Sequence, residues 1–129
     1  MTRVLALDYG AARCGSAVSD PSGSIVTPLR VVERPESPAG LEALAALVDE
    51  TEAELVLVGL PLTMSGEEGE QAAAARAFAD RLADLLEVPV DLYDERLTTK
   101  MADRTGGGAD QDSVAAAHLL ESWLMARRT

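Results

Sequence analysis

Acidic side chains stand at three places in this sequence where a folded α/β chain would bring them together. Asp8 ends a short apolar run, Asp94 and Glu95 follow another, and Asp110 and Asp112 open the last helical segment. In a parallel sheet, ligand sites collect beyond the carboxyl ends of the strands and at the adjacent helix starts. Carboxylates that converge there suit Mg²⁺, and two such ions about 3.5–4 Å apart support cleavage of a phosphodiester.

Each of these acids also has an ordinary structural explanation. Asp8 lies two residues before a glycine and is of a type that often stabilises a turn. Asp110 or Asp112 can cap a helix or interact with its dipole. Asp94 and Glu95, followed by an arginine, can form a surface ion-pair cluster that contributes little. The residue types alone therefore leave a metal site and a set of local caps as alternatives.

The pattern of apolar residues predicts the order βββαβαβα in one mixed sheet with helices on its faces. Three antiparallel strands come first, and a turn over residues 21–24 separates the second from the third. Pro28 indicates that the third strand lies at an edge or contains a bulge. The predicted strands cover residues 3–8, 15–20, 25–33, 55–59 and 88–93. A first helix begins at Pro38, and the others cover residues 70–87, 97–104 and 111–127.

Length and composition favour one globular domain over residues 1–129. The chain has 129 residues and 47% hydrophobic residues, enough to bury a core. No signal peptide is recognisable, and no apolar run approaches the roughly 20 residues that a membrane helix needs. Cys14 is the single cysteine, which excludes an internal disulfide. We therefore expect a soluble cytoplasmic protein.

The formal net charge of −11 argues against a large nucleic-acid-binding surface. Phosphate backbones are repelled by an acidic chain at long range, and proteins that bind nucleic acid are usually basic. Lys100 is the only lysine, however, and the other basic residues are arginines. Because a guanidinium binds phosphate through two parallel hydrogen bonds, a small local patch can still engage a phosphate.

Four segments, in this order and spacing, resemble one known family over nearly the whole chain. They are residues 5–20 (LALDYGAARCGSAVSD), 56–69 (VLVGLPLTMSGEEG), 94–99 (DERLTT) and 112–124 (DSVAAAHLLESWL). The second and third together are highly specific. The chain resembles the YqgF/RuvX family of Holliday junction resolvases within the RNase H-like superfamily.

The resemblance implies an RNase H-like mixed five-stranded sheet of order 3-2-1-4-5 and a nuclease that uses Mg²⁺ or Mn²⁺. Nucleic acid is then the partner, either pre-16S ribosomal RNA during 5′-end maturation or junction DNA. The residues that the resemblance assigns are Asp8, Glu95 and Asp112 as catalytic and metal-binding acids, and Arg13, Arg96 and Thr98 as substrate contacts.

Two departures from the family pattern keep other functions open. Family members usually carry a longer basic stretch where residues 100–111 are short and rich in glycine. Aliphatic residues also usually occupy the positions of Cys14 and Ser16. The short stretch favours the alternative of a non-catalytic RNase H-like binding module. Actin-like ATPases and sugar kinases begin with a similar strand and turn, but they need two such domains to enclose ATP. Monomer and homodimer remain open.

Overall fold

A computed structural model of the chain describes residues 2–63, 65–95 and 111–127. The first half contains β1 (Val4–Asp8), β2 (Arg13–Ser19), β3 (Val26–Pro28), β4 (Val32–Glu33) and α1 (Pro38–Thr51). The second half contains β5 (Leu55–Leu60), α2 (Glu70–Leu85), β6 (Val90–Asp94) and α3 (Gln111–Arg127). The helix expected over residues 97–104 lies outside the described residues. Within these ranges no helix is long and apolar enough to cross a membrane.

The sheet has the strand order β3-β2-β1-β5-β6. β1 runs antiparallel to β2 and parallel to β5, and β5 runs parallel to β6. This arrangement corresponds to the order 3-2-1-4-5 when the predicted strands are counted. Because β1, β5 and β6 are parallel, their carboxyl ends lie along one edge of the sheet.

The expectation of one continuous third strand over residues 25–33 is wrong. That stretch forms two short strands, β3 and β4, so the described residues contribute six strands to the sheet instead of the expected five. β3 ends at Pro28, whose nitrogen carries no hydrogen to donate to a ladder. β4 then pairs with the beginning of β2, where Arg13 lies opposite Glu33. For this reason β2 begins at Arg13, two residues before the start at residue 15 that the sequence predicted.

The two faces of the sheet bury different hydrophobic layers. Successive residues of a strand point to opposite faces, and β1 divides its side chains accordingly. Leu5 and Leu7 pack with side chains from α1 and α2, including Leu44, Leu47, Phe78 and Leu82. Val4 and Ala6 pack on the other face with Leu119 and Leu120 of α3. The strand that carries Asp8 is therefore covered on both sides.

Small residues let the start of α3 lie directly on β2. A Cβ atom placed on Gly15 would lie 2.0 Å from the backbone oxygen of Asp112. The backbone nitrogen of Ser16 donates a hydrogen bond of 3.3 Å to Ser113 Oγ. Gly15 is also the β2 residue opposite Asp8 in the ladder. This contact therefore places the first turn of α3 beside the end of β1.

Replacing Gly15 with alanine is expected to destabilise the fold. The added methyl group meets backbone atoms of α3 that cannot move like the end of a side chain, so the free energy of unfolding should fall by about 2–3 kcal/mol. Urea denaturation monitored by circular dichroism measures this change. Gly69→Ala is the matched control, because nothing lies within 4 Å of the added atom. Equal losses in the two variants would contradict the close contact.

Candidate active site

A cleft of about 420 Å³ opens at the edge of the sheet where the parallel strands end. Asp8 and Tyr9 come from the end of β1 and the residue after it, and Glu95 follows β6. Pro61, after β5, and Gln71, in the first turn of α2, also line the cleft. This is the position at which parallel α/β sheets ordinarily bind ligands.

Asp8 is a weaker acid than an ordinary aspartate. Burial, and then the negative charge of Asp112, raise the pKa of Asp8 from 3.8 to about 6. Both causes disfavour the ionised form. At neutral pH the carboxylate is therefore charged at a free-energy cost, and a nearby cation would remove that cost.

Glu95 occupies space that exists because residue 59 is a glycine. A Cβ atom at Gly59 would lie 2.4 Å from Glu95 Oε2. Burial raises the pKa of Glu95 from 4.5 to about 7, and the negative charges of Asp8 and Asp94 add to this rise. The Glu95 side chain thus lies against Gly59 near the end of β5. Like Asp8, it is buried and close to other negative charges.

Asp112 approaches the same end of β1 from α3 and is paired with an arginine. Arg13 Nε lies 3.2 Å from Asp112 Oδ2. Both side chains are reached by solvent, with 58% of Arg13 and 37% of Asp112 exposed. Arg13, for which the family resemblance implied a substrate contact, here contacts one of the predicted catalytic acids. Arg96 and Thr98, the other predicted substrate contacts, lie outside the described residues.

Asp8 interacts electrostatically with each of the other two predicted acids. The charge of Asp112 acts on Asp8, and the charge of Asp8 acts on Glu95. Within residues 2–63, 65–95 and 111–127, no three acidic, imidazole or thiol groups are close enough to form a closed metal cluster. The structure therefore brings the acids together in pairs through Asp8, and their catalytic role stays a prediction.

Tyr9 is a further component of the cleft that the sequence did not single out. Its ring stacks on Phe78 of α2, with the ring centroids 4.4 Å apart and the planes 22° from parallel. Its hydroxyl donates a hydrogen bond to Glu36, which lies 3.6 Å from Arg81 of α2. Burial and this hydrogen bond raise the pKa of Tyr9 to about 12. Tyr9 thus ties the segment after Asp8 to α2, and its adjacency to Asp8 was the available signal.

A sequence profile of a family described as "RuvX: Holliday junction resolvase" matches residues 2–126. The chain belongs to the RuvX family. A relative from Myxococcus xanthus, named "Putative pre-16S rRNA nuclease", is 44% identical over 135 residues, which cover 98% of this chain and 89% of the relative. A relative of the same name from Mycobacterium ulcerans is also 44% identical, over 98% of this chain and 81% of its own length. The resemblance stated from the four segments is confirmed.

Solved structures of other proteins share the fold of this RuvX family member. Thermus thermophilus RuvC in complex with a Holliday junction superposes with a TM-score of 0.63 at 17% identity, covering 99% of this chain and 96% of that one. The fowlpox virus resolvase, in complex with Holliday junction DNA, gives 0.60 at 9% identity, over 98% and 99% of the two chains. At such low identities the likeness concerns the fold, and the predicted RNase H-like fold class is confirmed.

The raised pKa values predict how the stability of the metal-free RuvX chain depends on pH. Asp8 and Glu95 hold their protons more tightly in the folded state than in the unfolded one, so the free energy of unfolding should fall as pH rises from about 4 to about 7. Asp8→Asn removes one of these charges. With EDTA present it should be more stable than the wild type at pH 8, by on the order of 2 kcal/mol, and nearly equal at pH 4.

Urea titrations at the two pH values measure this difference. Asp91→Asn is the control, because Asp91 is an exposed carboxylate on β6. A stability gain that is the same at pH 4 and pH 8, or that Asp91→Asn reproduces, would show that burial and charge at Asp8 are not its cause.

Proposed function

We propose that this protein is a divalent-metal-dependent nuclease that hydrolyses phosphodiester bonds during 5′-end maturation of pre-16S rRNA. The observation that carries the proposal is that Asp8 and Glu95 line the cleft of a RuvX family member, with Asp112 close enough to raise the pKa of Asp8. The relatives named as pre-16S rRNA nucleases support the choice of substrate. We further propose that residues 1–129 act as one domain and that the protein works in the cytoplasm.

The donor groups at the cleft fit a hard divalent cation. Mg²⁺ prefers carboxylate oxygens and needs only one or two of them, since it keeps several waters. Asp8 and Glu95 supply two carboxylates whose burial and mutual proximity disfavour their charge. Asp112 supplies a third at the side of Asp8. A cation among these groups would offset repulsion that the chain alone leaves in place.

In this proposal the acidic residues bind the cation, and Tyr9 stabilises the backbone segment beside them. Asp8 and Glu95, which line the cleft, would hold Mg²⁺ or Mn²⁺, and Asp112 would contribute a third carboxylate from α3. When bound, the cation supplies a Lewis acid for the charge that develops on the phosphate oxygens and for the ionisation of water. Tyr9, fixed by Phe78 and Glu36, keeps the segment after Asp8 in place.

Loss of either floor carboxylate is expected to abolish cleavage. Asp8→Asn and Glu95→Gln keep the size of each side chain but remove its charge, so metal-dependent cleavage should fall at least about a hundredfold. The measurement follows a 5′-labelled precursor RNA containing the 16S leader, in Mg²⁺ and in Mn²⁺. Asp91→Asn, on the same sheet but exposed, should keep wild-type activity.

A four-way DNA junction assayed in parallel decides between the two substrates. The proposed function requires the RNA to be cut faster, and preferential cleavage of the junction would replace it with junction resolution. Undiminished cleavage of both substrates by Asp8→Asn would refute the metal site.

Gly59→Ala tests the position of Glu95 without removing its charge. The added methyl group would overlap the Glu95 carboxylate, which can swing away because it ends a flexible side chain. The free energy of unfolding should therefore change by less than about 1 kcal/mol, whereas metal-dependent cleavage should fall at least about tenfold. Denaturation and cleavage are measured on the same preparation. Wild-type activity in a stable Gly59→Ala variant would exclude Glu95 from the reaction.

A further inference from the structure

Arg13 forms an ion pair with Asp112, which is one of the three predicted catalytic acids. Arg13 begins β2, and Asp112 lies in the first turn of α3. Their side chains meet with a distance of 3.2 Å between Arg13 Nε and Asp112 Oδ2. The charge of the same Asp112 also raises the pKa of Asp8. The Asp112 carboxylate thus interacts both with a positive partner, Arg13, and with a second carboxylate, Asp8.

The backbone of Asp112 is held in place by contacts with β2, whereas its side chain is partly exposed and paired with Arg13. Its carbonyl group presses against Gly15, and the next residue, Ser113, accepts a hydrogen bond from Ser16. Ser113 is fully buried, but the Asp112 side chain is 37% exposed. A change of partner by Asp112 therefore requires a rotation of its side chain and no movement of α3.

We propose that Arg13 and a divalent cation compete for the Asp112 carboxylate, so that Arg13 becomes available to a substrate phosphate only after the metal has bound. The inference rests on the proposed function, because it takes Asp8 and Asp112 as the acids that hold the metal. Without metal, the Arg13 guanidinium neutralises Asp112 and limits the repulsion between Asp112 and Asp8. With metal, Asp112 turns toward Asp8 and its ion pair with Arg13 opens.

Electrostatics favours an exchange over simultaneous binding. A guanidinium and a divalent ion that share one carboxylate repel each other at short range. The released guanidinium is a planar fork of donors that matches a phosphate group. With a net charge of −11, the chain repels nucleic acid over most of its surface, so a cation that appears only at a metal-loaded site would confine phosphate binding to the active form.

The competition predicts that removal of Arg13 tightens metal binding. In titration calorimetry with Mn²⁺ and no nucleic acid, Arg13→Gln should bind about two- to fivefold more tightly than the wild type, the range expected for the loss of an exposed ion pair. Arg34→Gln is the matched control. Arg34 is exposed, and its backbone nitrogen donates to Ala12 O beside Arg13, so the variant loses the same charge nearby. Its Mn²⁺ affinity should change less than about 1.5-fold.

Equal or weaker Mn²⁺ binding by Arg13→Gln would overturn the competition, as would equal tightening in Arg34→Gln, which would indicate a general charge effect. The failure of the proposed function looks different. In that case the wild type binds no Mn²⁺, or Asp8→Asn binds it equally well. If Asp8→Asn weakens Mn²⁺ binding but Arg13→Gln leaves it unchanged, the competition for Asp112 is rejected and the proposed metal site is not.

Nuclear magnetic resonance observes the ion pair itself. The Nε–Hε signal of Arg13 is assigned as the one missing from Arg13→Gln. Addition of Mg²⁺ should move this signal to the position of a solvated arginine, with the same midpoint as metal binding. A signal that stays in place while Mg²⁺ saturates the protein would show that Asp112 keeps its arginine and would overturn the proposal.

Discussion

The crowding of carboxylates around the end of β1 is the constraint on which the rest of the site depends. Asp8 ends a strand that is covered by α1 and α2 on one face and by α3 on the other. Burial alone would make its charge costly, and Asp112 adds repulsion. Burial and the negative charges of Asp8 and Asp94 likewise disfavour the charge of Glu95. The packing of the flanking aliphatic side chains stabilises β1 against this cost. In the proposed function, a bound cation would relieve the repulsion.

Glycine decides where these acids can lie. Gly15 allows α3 to contact the backbone of β2, and Gly59 leaves space for the Glu95 side chain. A Cβ atom at Gly15 would meet the backbone of α3, and one at Gly59 would meet the Glu95 side chain. The absence of a Cβ atom is therefore what lets a helix start and a strand end share one edge of the sheet. Tyr9 acts in the opposite sense, since its stacking on Phe78 and its hydrogen bond to Glu36 fix the segment that follows Asp8.

Several arginines of the described part of the chain are paired with its own acids. Arg30 pairs with Glu50, Arg76 with Glu68 and Arg81 with Glu36. Arg127 lies over the ring of Trp123, with 4.4 Å between its Cζ atom and the ring centroid. Such exposed pairs contribute little to stability, but they neutralise cations that could bind phosphate. In the proposed function a substrate phosphate needs a cation beside the acids, which gives the pairing of Arg13 with Asp112 its importance.

The sequence by itself determined the fold class and the strands that deliver the acids, because the apolar runs and the four family segments specify both. It predicted the strand order with β1 at the centre, but it missed the interruption after Pro28, which depends on how β4 pairs with the start of β2. It named Asp8, Glu95 and Asp112, yet only the tertiary structure decided their relations: Asp8 beside both other acids, and Asp112 held by Arg13.

Spacing along a chain specifies which side chains share a strand or a helix face. Whether two carboxylates repel each other, or one binds an arginine, depends on the packing of α3 against Gly15 and of Glu95 over Gly59, which are contacts between residues far apart in sequence.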